Sequence, residues 1–263
     1  MSDRPESVLL ERIGNIAVLT LNRPARLNAL DAPMAELFLE RIEAIAARDD
    51  IRAILLKGAG KGFCAGGDVA RFLAGGDPAD SIAAIMEPLH AALVLLDDLP
   101  QPSVACLHGA VAGGGFSLAL ACDFAVAAET ARFSMAYARI GATPDLAGSF
   151  HLSRLVGLRK AKEIALLGEP FDAAQALRLG LVNRVAPDGQ AEQEALALAQ
   201  RLGEGPTQAY GRTRRLLASA AVNDLAGHLE AERQAFRETT GTADFREGVA
   251  AFLEKRPAHF AGR

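Results

Sequence analysis

Two short apolar strands in this chain each run straight into a glycine-rich loop, and those junctions restrict the folds open to it. Ala53-Ile54-Leu55-Leu56-Lys57 leads into Gly58-Ala-Gly-Lys-Gly-Phe-Cys-Ala-Gly-Gly-Asp68, and Ser103-Val104-Ala105-Cys106-Leu107 leads into Gly109-Ala-Val-Ala-Gly-Gly-Gly115. Unbroken apolar runs of this length suit strands buried on both faces, as in parallel sheets covered by helices. The covers are visible in the sequence. Met34, Leu37, Phe38, Ile42 and Ile45 recur at helical spacing behind Asp31, a cap for a helix over 32–48, and a second helix is predicted over 82–98. A hairpin opens the chain, with strands over 8–12 and 16–21 about Gly14-Asn15. Further strands are predicted over 124–127 and 182–185. Beyond Gln190 only helical periodicity remains, over 195–202, 208–218, 225–237 and 245–254. The expectation is an α/β fold with parallel strands and a C-terminal helical region.

Composition removes whole classes of function. The chain has 263 residues, 50% hydrophobic and 23% charged, with a formal net charge of −4. That length fits one large domain with a sizeable core, and the apolar content excludes disorder. No basic block is present to hold a phosphate backbone, so nucleic acid is not an expected partner. The longest unbroken apolar stretch, about 91–96, falls far below the roughly 20 residues that span a bilayer. Residues 1–6 lack the apolar core of a secretion signal. Cys64, Cys106 and Cys122, odd in number and widely spaced, form neither a disulfide framework nor a zinc knuckle. His108, His151, His228 and His259 lack ligand spacing, so no metal is expected. A globular cytoplasmic protein without a membrane partner is the expectation.

The glycine loops admit two readings. They fit neither G-x-x-x-x-G-K-[ST] nor G-x-G-x-x-G, which argues against nucleotide cradles. On one reading they are tight turns where helix and strand pack closely. On the other, a backbone N–H from each loop converges on a single carbonyl oxygen, helped by the N-terminus of the helix predicted over 116–121. Two other local patterns also stay open. Gly115-Phe116-Ser117-Leu118-Ala119 is one residue short of the G-x-S-x-G nucleophile elbow, with Asp145 and His151 following in hydrolase order. Thr143-Pro144-Asp145 reads as a helix start: cap, proline at the first position, acid in the first turn.

Gly62-Phe63-Cys64-Ala65-Gly66-Gly67-Asp68, with Gly109-x-x-x-Gly113-Gly114-Gly115 and Cys122-Asp123, resembles the crotonase (enoyl-CoA hydratase/isomerase) family. The match continues at Leu21-Asn22-Arg23-Pro24, at Leu27-Asn28-Ala29-Leu30, at Ala131-Arg132-Phe133, at Gly180-Leu181-Val182 and from Phe245 to Arg256. The resemblance implies a spiral of ββα turns, a core over 1–195 and a helical oligomerisation region over 196–263. It implies an acyl-CoA substrate with no separate cofactor, and a homotrimer or dimer of trimers. It places oxyanion donors on the N–H groups of Gly67 and Gly114. Arg26, Leu27, Ala29 and Ala65 fall at coenzyme A positions, and Phe252 and Lys255 in a segment that often reaches a neighbouring subunit. Asp68, His90, Ser117 and Tyr137 fall near the substrate.

The resemblance also bears on the reaction. The family's hydratases carry two glutamates, where this sequence has Ser117 and Tyr137, and neither is basic at neutral pH. Its isomerases carry an acid after a proline, where this sequence has Pro144-Asp145. One carboxylate can take a proton from one carbon and return it at another. The run 133–145 looks most like the ring-epoxide isomerase of phenylacetate degradation, so an isomerase with Asp145 as acid/base is expected. The alternatives are a hydratase, a 4-chlorobenzoyl-CoA-type dehalogenase using Asp145 and His90, a Ser117-dependent thioester hydrolase, and a non-catalytic acyl-CoA binder.

Overall fold

The computed structural model describes residues 6–72 and 77–263. Residues 1–5, which carry most of the secretion-signal reading, lie outside them. The chain opens with the expected hairpin, β1 (Val8–Ile13) and β2 (Ile16–Leu21), in antiparallel register from Val8↔Leu21 to Ile13↔Ile16. Asp31 caps α1 (Ala32–Ala46) by accepting from the Met34 N–H. β3 (Ala53–Gly58) follows, then the one-turn α2 (Val69–Phe72) and α3 (Pro78–Asp98). Helix α3 begins four residues before the apolar periodicity does, because Asp77 caps it and Pro78 occupies its first turn.

The second cycle comprises β4 (Ser103–Leu107), β5 (Ala110–Ala112), α4 (Gly114–Ala121), β6 (Phe124–Ala128) and β7 (Arg132–Ser134). After a 3₁₀ turn at Tyr137–Ile140 come α5 (Gly148–Leu167), β8 (Phe171–Asp172), α6 (Ala173–Arg178), β9 (Arg184–Ala186) and α7 (Ala191–Gly203). Three helices finish the chain: α8 (Thr207–Ser219), α9 (Leu225–Thr240) and α10 (Ala243–Glu254).

The strands form a six-stranded sheet in the order β1-β2-β3-β4-β6-β9, parallel apart from β1, and a smaller sheet β5-β7-β8. All six residues of β2 and all five of β4 are buried, which explains the continuous apolar runs in the sequence. Ile16, Val18, Leu55, Val104 and Val126 face α7, where Ala195, Leu198 and Ala199 pack against them. Their neighbours Leu19, Leu56 and Leu107 join the larger core with α1 and α3. The expected boundary between 195 and 196 therefore cuts through α7. That helix covers one face of the sheet and belongs to the core, and the appended helices begin at α8.

Helix α3 is long and apolar enough to cross a membrane by length and composition, which single unbroken runs did not show. In the fold its stripe of Ile85, Leu89, Ala92 and Leu96 is buried as part of the core that α1 shares. Its other face carries the exposed His90.

Candidate active site

The smaller sheet brings the two glycine loops together. Beyond the regular strands, Cys64 bridges Val111 and Leu30 bridges Gly67, both in parallel sense. Leu30 donates to the Gly66 carbonyl and accepts from the Asp68 N–H. In a parallel ladder that pattern turns the N–H of the intervening residue, Gly67, to the opposite side. Gly114 is the first residue of α4, so its N–H is one of the donors that the helix cannot satisfy internally. Close approach is required here. Gly66 has φ +100°, and a Cβ on it would lie 3.3 Å from the Gly114 nitrogen. A Cβ on Gly115 would lie 2.4 Å from the Cys64 carbonyl oxygen.

Buried polar groups fix the first loop. Asn28, wholly buried, donates from Nδ2 to the carbonyls of Ala59, Gly62 and Phe63 and accepts at Oδ1 from the Arg23 N–H. The Arg23 guanidinium lies 3.0 Å from both Asp68 and Asp31. Asp68 is thus a clamp on the loop, and it is not among the described residues that border the cavity beside it.

Gly67 and Gly114 border a cavity of about 490 Å³. Its walls are mostly apolar, with Leu30, Phe72, Ile85, Met86 and Leu146 among them, and Asp145 and Tyr137 add polar groups. Asp145 does not stand in the first turn of a helix as the Thr143-Pro144 pattern suggested. The backbone takes left-handed φ at Leu146 and Ala147, and α5 starts only at Gly148. Asp145 therefore sits, half-buried, on a loop at the cavity wall.

Its carboxylate accepts a hydrogen bond from His90 Nε2 at 2.7 Å. His90 was expected near the pocket, and as the partner of Asp145 only in the dehalogenase alternative. The pairing joins residues 55 apart in sequence and has no local signature.

Ser117 and Tyr137 also meet. Ser117 Oγ lies 3.2 Å from Tyr137 Oη, and Tyr137 Oη donates to the Asp145 carbonyl at 3.4 Å. Burial pushes the Tyr137 phenol up to about 12, so it stays protonated and acts as a donor. Ser117 is wholly buried beneath it, with no histidine among its recorded partners. That arrangement does not support the nucleophile-elbow reading. Burial likewise pushes the Cys64, Cys106 and Cys122 thiols up to about 12, leaving all three inert at neutral pH.

At the expected nucleotide end, Ala65 borders the cavity and donates its N–H to the Leu27 carbonyl. Arg26 and Leu27 are exposed on the preceding turn, and Ala29 is nearly buried. Phe252 and Lys255 lie at the end of α10, and neither borders the cavity within one chain. Among the described residues no cluster of three or more His, Cys, Asp or Glu could hold a metal.

Comparison with known proteins agrees with this geometry. The family model described as "Enoyl-CoA hydratase/isomerase" matches residues 11–263. The chain is 39% identical to a Rhodobacter capsulatus protein named "Probable enoyl-CoA hydratase", over 94% of this chain and 95% of that one. It is 38% identical to the 1,2-epoxyphenylacetyl-CoA isomerase of Escherichia coli, with the same two coverages. The crystal structure of an enoyl-CoA hydratase from Polaromonas sp. superposes with a TM-score of 0.91 at 36% identity, covering 96% of this chain and 99% of that one.

Proposed function

Because this chain belongs to the enoyl-CoA hydratase/isomerase family, with its crotonase fold, we propose that it is an acyl-CoA isomerase. The observation that carries this reading is a carboxylate, Asp145, on the wall of the cavity that Gly67 and Gly114 border, while Ser117 and Tyr137 supply no second carboxylate. The N–H groups of Gly67 and Gly114 donate to the thioester oxygen. Charge that develops there as an enolate forms is stabilised more than the ground-state carbonyl, which lowers the barrier. Asp145 removes a proton beside the thioester and returns it at another carbon, moving a double bond or opening a ring epoxide. His90 holds the carboxylate in place. Arg26, Leu27, Ala29 and Ala65 are the proposed contacts for coenzyme A, which enters as part of the substrate. Phe252 and Lys255 would meet substrate only from a neighbouring copy in a trimer or dimer of trimers.

Incubation of a panel of enoyl-CoA and epoxyacyl-CoA thioesters in heavy water tests the reading. Wild-type protein should place deuterium on the product. Asp145→Asn should lower that rate by about 10²–10⁴-fold, the usual contribution of a positioned acid/base. Water addition that is indifferent to Asp145→Asn would refute the assignment in favour of a hydratase.

The His90–Asp145 contact favours a second reading. Asp145 could attack a ring carbon of a 4-halobenzoyl thioester, expelling halide, and a water deprotonated by His90 would then cleave the aryl ester. Multiple-turnover halide release from 4-chlorobenzoyl-CoA, cut to at most one equivalent per site in His90→Gln, separates it from isomerisation.

A further inference from the structure

Tyr137 borders the cavity, and its hydroxyl lies near Gly114 and the Asp145 main chain. A Cβ on Gly114 would lie 3.8 Å from Tyr137 Oη, and on the other side the phenol reaches the Asp145 carbonyl. Thr143 and Asp145 are the other polar side chains among the described lining residues, so the remaining wall is apolar.

The phenol proton is also poorly held. Ser117 Oγ can donate to Tyr137 Oη, which leaves the Tyr137 proton directed at the Asp145 carbonyl. At 3.4 Å that contact is well beyond the 2.5–3.0 Å of a good O–H···O bond. A donor with a weak partner, backed by a hydroxyl that polarises it, favours a better acceptor arriving from the cavity. Its raised pKa keeps the proton in place over the whole physiological range.

We propose that Tyr137 is a specificity-determining donor, and that the acyl group taken by this cavity carries an ether-type or epoxide oxygen within a few bonds of the thioester carbonyl. Ser117 orients the phenol from behind. This rests on the acyl-CoA isomerase reading and narrows its substrate class.

Binding to non-reacting thioesters tests it without requiring turnover. The probes are cyclohexylacetyl-CoA and tetrahydropyran-2-ylacetyl-CoA, which differ by one ring CH₂ replaced by oxygen and contain no bond to isomerise. Wild-type protein should bind the oxygen-bearing thioester about tenfold more tightly, the effect of one well-made neutral hydrogen bond. Tyr137→Phe should lose that preference while still binding the carbocyclic thioester, which also reports that the variant is folded. Equal wild-type affinity for the two probes, or a preference that survives in Tyr137→Phe, overturns the proposal. Failure of the isomerase reading would register separately, as absent deuterium exchange, with this affinity ratio untouched.

Discussion

Phenylalanines have opposite fates in the two parts of this molecule. Phe63, Phe116 and Phe133 are essentially inaccessible, and Phe116, Phe133 and Phe171 pack ring to ring beneath the smaller sheet. On the last helices, Phe236 is 66% exposed and Phe252 is 83% exposed. Leu217, Leu225 and Leu253 are exposed beside them, and α9 buries none of its residues. Burying one such side chain is worth about 1.5–3 kcal/mol, so the core gains within the chain what the appended helices forgo. The layered part is a finished unit whose backbone can hold two N–H groups in place. The helical part presents apolar surface of the kind that marks an interaction site.

The same substitution in both parts is the sharpest way to break that comparison. Gly115→Ala would drive a methyl to 2.4 Å from the Cys64 carbonyl and 2.5 Å from its Cβ, in a region with no slack. We expect a loss of about 3 kcal/mol in urea unfolding, at the upper end for overpacking. Turnover should also fall about 10²-fold, because moving the start of α4 displaces the Gly114 donor. Gly241→Ala, between α9 and α10, meets only the Glu238 carbonyl at 3.4 Å and has φ −76°. It should change stability by less than about 0.5 kcal/mol. Equal effects at the two sites would erase the distinction between a rigid core and a loosely packed tail.

How much of this was legible in sequence follows the same division. Strands β2, β3 and β4 were readable because residues buried on both faces leave unbroken apolar runs. The glycine loops were readable because Gly66 and Gly115 occupy places where a side chain does not fit. The first turn of α3 was missed because Pro78 to Asp80 are exposed, so periodicity is silent there, although Asp77-Pro78 was a usable start signal. Placing Asp145 in a helix failed because Leu146 and Ala147 turn left-handed, which no composition rule anticipates for these residues. The His90–Asp145 and Ser117–Tyr137 contacts depend on tertiary structure alone, joining α3 and α4 to the 137–145 segment.

A smaller effect on folding, with a larger one on assembly, is expected from polar substitutions in the tail. Phe236→Ser with Phe252→Ser removes two rings that the single chain leaves in water. Secondary structure and the unfolding midpoint of a dilute sample should barely change. If copies of the chain cover these helices, light scattering should report a lower mass, and stability should lose its dependence on protein concentration. An unchanged mass would mean that these faces stay in water, and that Phe252 never reaches a neighbour's substrate.

The smallest expected effect concerns how the chain's last residues are tied to α10. The Arg256 guanidinium beside Glu247, with the His259 N–H donating at 2.8 Å, holds the Glu247 carboxyl down to about 2 from its usual 4.5. A depressed carboxyl stabilises the fold above its unfolded pKa, and that contribution is lost as pH falls through the folded one. The Glu247 link should therefore be intact above about pH 4.5 and vanish near pH 2. Glu247 is part-exposed at the surface, so the loss should be local, because solvent screens such pairs. Exchange at the His259 amide should quicken as pH drops through this window, after correction for the intrinsic rate, while amides of β3 and β4 hold. Glu247→Gln should show that faster exchange already at pH 7 with a melting shift below about 2 °C. A drop in core protection over the same window would show that the tail and the layered core unfold as one unit.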